Sequence, residues 1–259
     1  MEQFPKYVIL LNTVGSIYKN LGKLEKSIET YKKAILIKPD YAEAYFNMGN
    51  AFKDQGKLDK AIEAYSKTLS IKPDYSEAHY NMGIILQDHK KLGEAIEAYK
   101  KTVAIKPDYA EAHYNMAIVL QGQKKLEEAI EAYKKTVAIK PDYADVHYNI
   151  AVILHSQRKL DEAIEAYNKV LTINPGHGSA KHLISALTGK THSTAPKEFV
   201  ENLFDGYARK FERSLIKNLE YKTPKLIKDI LINSNYNESL GSVLDLGCGT
   251  GLFLSLIHI

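Results

Sequence analysis

The sequence predicts an all-α solenoid of five stacked helix pairs, followed by the beginning of an α/β domain. Three observations predict it. Prolines recur every 34 residues, at Pro39, Pro73, Pro107, Pro141 and Pro175. Each interval between them holds two apolar stripes at helical spacing. After Pro175 the period stops, and the sequence closes on a strand-like run joined to a glycine-rich turn, "VLDLGCGTGLFLSLIHI".

The repeat is visible when the chain is laid against itself. "KPDYAEAYFNMGNAFKDQGKLDKAIEAYSKTLSI" is followed by "KPDYSEAHYNMGIILQDHKKLGEAIEAYKKTVAI" and then by "KPDYAEAHYNMAIVLQGQKKLEEAIEAYKKTVAI". A fourth copy begins at Lys140, and a weaker one runs from Phe4 to Ile37, with Pro5 on the same comb. The five units are residues 8–41, 42–75, 76–109, 110–143 and 144–177. In the first helix of a unit, Tyr45, Met48, Gly49 and Phe52 fall on one stripe. In the second, Leu58, Ala61, Ile62, Tyr65 and Leu69 form its match, and "DQGK" supplies the turn between them. Gly49 costs about 1 kcal/mol against alanine inside a helix, which close approach of a partner helix explains. Ala117 and Ala151 fill the equivalent place. Proline ends each preceding helix. The pairs Asp40 and Glu43, Asp74 and Glu77, and Asp108 and Glu111 predict capping boxes, with Asp accepting from first-turn amides. Neither stripe of a unit can be buried by the unit alone, so neighbours must stack. Ser179–Leu187 predicts one further helix closing the last unit, which completes a region spanning residues 1–190.

The order Tyr45, Met48, Gly49, Phe52, Ala61, Tyr65 and Pro73 resembles the tetratricopeptide repeat, and Val14, Gly15, Tyr18, Tyr31 and Pro39 follow it. The resemblance implies a right-handed superhelix whose first helices line a concave groove for a protein or extended peptide. Opposite the buried stripe, the second, fifth, sixth and ninth positions of a unit carry Glu43, Phe46, Asn47 and Asn50, and then Glu77, Tyr80, Asn81 and Ile84. The next two units carry Glu111, Tyr114, Asn115 and Ile118, and Asp145, Tyr148, Asn149 and Val152. Asn47, Asn81, Asn115 and Asn149 resemble the asparagine ladder in the repeats of O-linked N-acetylglucosamine transferases. An amide donates and accepts at once, so a row of them suits an extended backbone. The other reading is structural: Asn bonds a neighbouring helix while Tyr80, Tyr114 and Tyr148 pack between repeats. Thr13 holds the ladder place in the first unit, so the row is expected to stop there. His79, His113 and His147 also form a comb. They stand at the large-aromatic place of the signature, and helices 8–10 Å apart do not bring their nitrogens to one ion. Packing is the expectation and no metal is assigned.

"TGKTHSTAP", Thr188 to Pro196, reads as a linker, centred on residues 191–196. "KEFVENLFDGYARKFERSLIKNL" then has Phe199, Val200, Leu203, Phe204, Tyr207, Phe211 and Leu215 at helical spacing, and Pro224 to Ile232 predicts another helix. Val243–Leu246 is a strand candidate. Asp245-Leu246-Gly247-Cys248-Gly249-Thr250-Gly251 resembles the first motif of class I S-adenosylmethionine-dependent methyltransferases. Gly247 and Gly249 permit a sharp turn with room for a ligand, and Gly251 permits close strand–helix packing. The resemblance implies that Asp245 attracts the cofactor's ammonium group and that Cys248 and Thr250 line the loop. It implies a Rossmann-like domain over residues 197–259, here incomplete: the acidic residue that meets a ribose, about 20 residues further on, falls past Ile259. The expectation is therefore a fragment of a longer enzyme. The parent would transfer a methyl group from S-adenosylmethionine while the repeats recruit its protein partner, and cofactor binding by this chain alone is doubtful. No catalytic residue is assigned. The alternative is a repeat scaffold that binds peptide and has no catalytic activity.

Composition agrees with a globular chain. Of 259 residues, 45% are hydrophobic and 25% charged, and the net charge of +4 is spread among interspersed acids and bases. That pattern lacks the concentrated basic field that nucleic acid or an acidic membrane requires, so neither is expected as a partner. With one cysteine, Cys248, no internal disulfide forms. Tyr7–Leu11 is too short for a span or a signal core, and a cytoplasmic location is the default expectation.

Overall fold

A computed structural model describes residues 3–189, and everything below concerns those residues. They form eleven α-helices and no strand. The first ten lie in one compact unit ending at Ile173. In chain order they are α1 (Gln3–Asn20), α2 (Leu24–Ile37), α3 (Ala42–Asp54), α4 (Leu58–Ile71) and α5 (Ser76–Asp88). The next are α6 (Leu92–Ile105), α7 (Ala110–Gly122), α8 (Leu126–Ile139), α9 (Ala144–Ser156) and α10 (Leu160–Ile173). α11 (Gly178–Leu187) belongs to the second unit and occupies the stretch read as a terminal helix. Its N-cap His177 accepts from the Ala180 N–H at 3.2 Å through its ring nitrogen. The methyltransferase-like stretch, residues 197–259, and the 191–196 linker lie outside the described residues.

Among the first ten helices, each odd helix pairs with the even helix after it, and α2, α4, α6 and α8 each pack on the odd helix that follows. The pairing is close because glycine faces tyrosine. A Cβ on Gly15, Gly49 or Gly83 would come within 2.5–2.6 Å of Tyr31, Tyr65 or Tyr99. Those tyrosines, with Tyr133 and Tyr167, are the largest fully buried side chains. Each such ring contributes roughly 1.5–3 kcal/mol by burial. The rings and the small residues beside them join neighbouring units, as Tyr65 does with Ala78 and Ile85. Thr68, Thr102 and Thr136 are also fully buried, a polar position the apolar stripes did not reveal; each hydroxyl bonds the carbonyl four residues back.

The connections differ from expectation in two ways. Asp40, Asp74 and Asp108 do not cap helices: the N-caps are Tyr41, Tyr75 and Tyr109, and none makes a side-chain capping bond. Lys-Pro-Asp-Tyr is instead a β-turn, closed by Tyr41 N–H to Lys38 O at 3.2 Å and by the same bond at 3.2 and 3.1 Å in the next two units. The helix therefore starts one residue later, and Glu43 stands at its second position, where it still favours the helix dipole. Lys38 takes φ −130°, ψ 90°, the extended form required before proline. Within each unit, the first helix ends in a Schellman motif, seen in Lys57 N–H to Phe52 O at 2.9 Å. Its left-handed residue is Gly22 or Gly56 in the first two units but Lys90, Lys124 or Arg158 in the rest.

Candidate functional site

The face named from the sequence lies on α3, α5, α7 and α9, and its ring and amide positions are half-buried. Three of the fifth-position rings, Phe46, Tyr80 and Tyr114, are each held between two others. Phe46 lies 5.7 Å from Tyr65 in its own unit and stacks on Tyr75 of the next turn at 4.8 Å. Tyr80 repeats this with Tyr99 at 6.0 Å and Tyr109 at 4.8 Å. Tyr114 sits 6.0 Å from Tyr133 and 5.1 Å from Tyr143, and Tyr148 lies 5.7 Å from Tyr167. Such contacts are worth about 0.5–1.5 kcal/mol beyond burial. Lys38, Lys72 and Lys106 lie 5.3–5.4 Å over the rings of Tyr41, Tyr75 and Tyr109. The turn tyrosines thus belong to this face, although the helical count missed them. The signal was present in the repeated Lys-Pro-Asp-Tyr.

The asparagines reach back to the preceding unit. Asn47 Nδ2 donates to Asn12 Oδ1 at 3.0 Å, and Asn81 Nδ2 to Asn50 Oδ1 at 2.9 Å. Asn50 also accepts from the Tyr65 hydroxyl at 2.7 Å. Asn115 Nδ2 donates to the Tyr80 hydroxyl at 3.1 Å, and Asn149 stands half-buried at the same place on α9. One amide N–H of Asn47, Asn81 and Asn115 therefore ties two units together, while their Oδ1 atoms take no part in these bonds. Thr13 bonds the carbonyl of Ile9 in its own helix, and Asn12 beside it serves as the first acceptor.

Acids rim the row. Burial, then the Glu43 and Glu77 carboxylates, pushes the Tyr75 phenol up to about 12. Burial, then Tyr80, Glu77 and Glu111, does the same to Tyr109. Burial raises Tyr80 and Tyr114 as well. The phenols stay neutral donors and acceptors at neutral pH. A hydrogen bond to Lys140 holds the Glu111 carboxyl below its usual range.

The histidine comb has a local role. The Nε2 atoms of His79, His113 and His147 each meet a proline carbonyl at 3.0 Å, those of Pro73, Pro107 and Pro141, tying the helix to its entry turn. Burial lowers the His79 pKa below its ordinary value. Among the described residues no cluster of His, Cys, Asp and Glu could hold a metal, and no helix is long and apolar enough to cross a membrane. Asp245, Gly247, Cys248, Gly249, Thr250 and Gly251 lie outside the described residues, so the geometry does not bear on them.

A family profile described as the TPR repeat matches residues 15–56, 49–90, 88–124 and 122–158, and one described as the tetratricopeptide repeat matches 144–177. No curated protein matches the chain. Among solved structures, MamA is 27% identical, with 62% of this chain and 95% of that one covered and a TM-score of 0.59. YrrB, described as a TPR protein with an unusual peptide-binding site, is 22% identical over 70% and 97% of the two chains, with a TM-score of 0.59. PilF of Pseudomonas aeruginosa is 18% identical over 87% and 99%, with a TM-score of 0.62. The last two share the fold.

Proposed function

Because the chain belongs to the tetratricopeptide-repeat family, we propose that it is an interaction scaffold holding an extended peptide along the face formed by α3, α5, α7 and α9. One observation carries this reading. The face keeps partly exposed apolar side chains, Ile84, Ile118 and Val152, beside a row of asparagines, and the Oδ1 atoms of Asn47, Asn81 and Asn115 are left out of the bonds between units. A solvated face needs neither. Four carbonyl acceptors in a row suit the N–H groups of an extended backbone, and the rings and aliphatic groups between them supply apolar contact. YrrB, which shares the fold, is described by its peptide-binding site, and this supports the reading.

Selection of displayed peptides on the full chain tests it. Asn81→Ala/Asn115→Ala/Asn149→Ala should weaken the selected peptides at least tenfold. Ile84→Glu/Ile118→Glu, which removes no bond between units, should do the same with helicity unchanged. Full affinity in both variants overturns the assignment.

A second reading concerns residues 197–259, where Asp245–Gly251 resembles a methyltransferase loop. On that motif we propose that the repeats bring a protein substrate to a methyl-transferring domain whose S-adenosylmethionine would rest against Asp245, Gly247, Cys248, Gly249, Thr250 and Gly251. What supports it is the order of acid and glycines after a strand-like run. Calorimetric titration with S-adenosylmethionine tests it. Heat from this chain or from a version extended past Ile259 that disappears in Asp245→Ala supports the site, and no heat from either removes cofactor binding from this reading.

A further inference from the structure

The ninth position of a unit changes character along the face. It is Ser16 in the first unit and Asn50 in the second, and each meets the buried tyrosine of its own unit. The Tyr31 hydroxyl lies 3.0 Å from Ser16 Oγ, and the Tyr65 hydroxyl donates to Asn50 Oδ1 at 2.7 Å. In the third and fourth units the tyrosine bonds the twelfth position instead: Tyr99 donates to Gln87 Oε1 at 2.9 Å and Tyr133 to Gln121 Oε1 at 2.8 Å. The ninth position is released from that bond. Ile84 and Ile118 hold it there, with Val152 in the fifth unit, and all three are partly exposed. Each of these three units therefore offers one aliphatic contact and one asparagine, Asn81, Asn115 or Asn149, to a chain lying along the face.

The spacing of these contacts selects a backbone. First helices of neighbouring units touch, as α1 does α3 and α5 does α7, and helices in contact lie roughly 8–10 Å apart. In a β-strand the side chains of one face recur every second residue, about 6.6 Å apart, which is too short for one contact per unit, and the third residue points to the opposite face. A polyproline II helix has three residues per turn, so every third side chain returns to the same side after roughly 9.3 Å. One turn of it matches one unit. Charge bears on the residues between. Glu43, Glu77 and Asp145 at the second position make no ion pair among the described residues, while Glu111 is held by Lys140. The nearby Lys38, Lys72 and Lys106 lie over tyrosine rings. The rim thus complements a cationic chain. Resting on the groove reading above, we propose that the occupant is a basic peptide in the polyproline II conformation. Its apolar side chains, one in every three residues, lie over Ile84, Ile118 and Val152.

An alanine scan of the tightest peptide selected from a displayed random library on the full chain tests it. Truncation should cost at least about tenfold at three positions spaced three residues apart, and the peptide should carry a net positive charge. Ile118→Asn copies the residue that Asn50 supplies at the same place, so the circular-dichroism melt should not change. It should weaken the peptide and abolish the cost of truncating the middle apolar residue, leaving the outer two sensitive. Sensitive positions two residues apart, an acidic peptide, or a middle residue uncoupled from Ile118 overturns the proposal and leaves the groove in place. A library that yields no peptide, or peptides indifferent to Ile84→Glu/Ile118→Glu, removes the groove reading and this one with it.

Discussion

Replacing Lys90, Lys124 and Arg158 together with glycine should stabilise the protein. These residues adopt φ of 62°, 62° and 63°, the left-handed conformation that Gly22 and Gly56 supply in the first two units. A side chain there costs about 1–2 kcal/mol. Glycine relieves this but loses roughly 0.5–1 kcal/mol by loosening the unfolded chain. The net gain is about 0.5–1 kcal/mol per site. The three sites lie in different units and close their own Schellman bonds, so the gains should add to roughly 1.5–3 kcal/mol. At about 2–4 °C per kcal/mol for a domain of this size, Tm should rise by roughly 3–12 °C. Thermal and urea unfolding followed at 222 nm measure it, with Gly56→Lys as the reverse control, expected to destabilise. An unchanged or lower Tm in the triple variant, together with a neutral Gly56→Lys, would refute the strain argument.

Two other outcomes follow from the packing. At Gly83 a Cβ would meet Tyr99 at 2.6 Å, whereas Ala117 holds the same place in the unit of Tyr133. Gly83→Ala should therefore be close to neutral, its helix propensity gain of about 1 kcal/mol offsetting the ring shift, while Gly83→Leu should lose about 1–3 kcal/mol or more by overpacking. Equal urea midpoints for the two would refute the close approach. The tyrosines set an alkaline limit. An unfolded phenol titrates near about 10, but Tyr75 and Tyr109 in the fold are pushed up to about 12. Above pH ~10 the unfolded chain releases protons that the folded chain still holds, so stability is intact below that pH and falls as pH rises toward 12. Absorbance at 295 nm should lag for these phenols until helix signal is lost; complete tyrosinate formation with helicity intact would contradict it.

The amino-acid sequence by itself determined the 34-residue period, the helix pairs and their apolar stripes, and the place where glycine admits a ring. These depend on contacts within a unit or with its neighbour, and a repeated unit prints such contacts at fixed spacing. It also named the asparagines and rings of the face and gave their bonding and packing between units as one of two readings, but not their partners. Asn81 donates to a residue 31 positions earlier, and Phe46 stacks on a turn tyrosine 29 positions later; such partners depend on how one unit is rotated on the next. The predicted capping boxes failed for a local reason: the turn after Lys38 closes on Tyr41 and delays the helix by one residue. Only the tertiary structure decided that Lys90 adopts a left-handed backbone and which turn tyrosine covers which helix ring. Both depend on how the chain closes its turns and on how one unit is rotated on the next, and a residue's place in the repeat fixes neither.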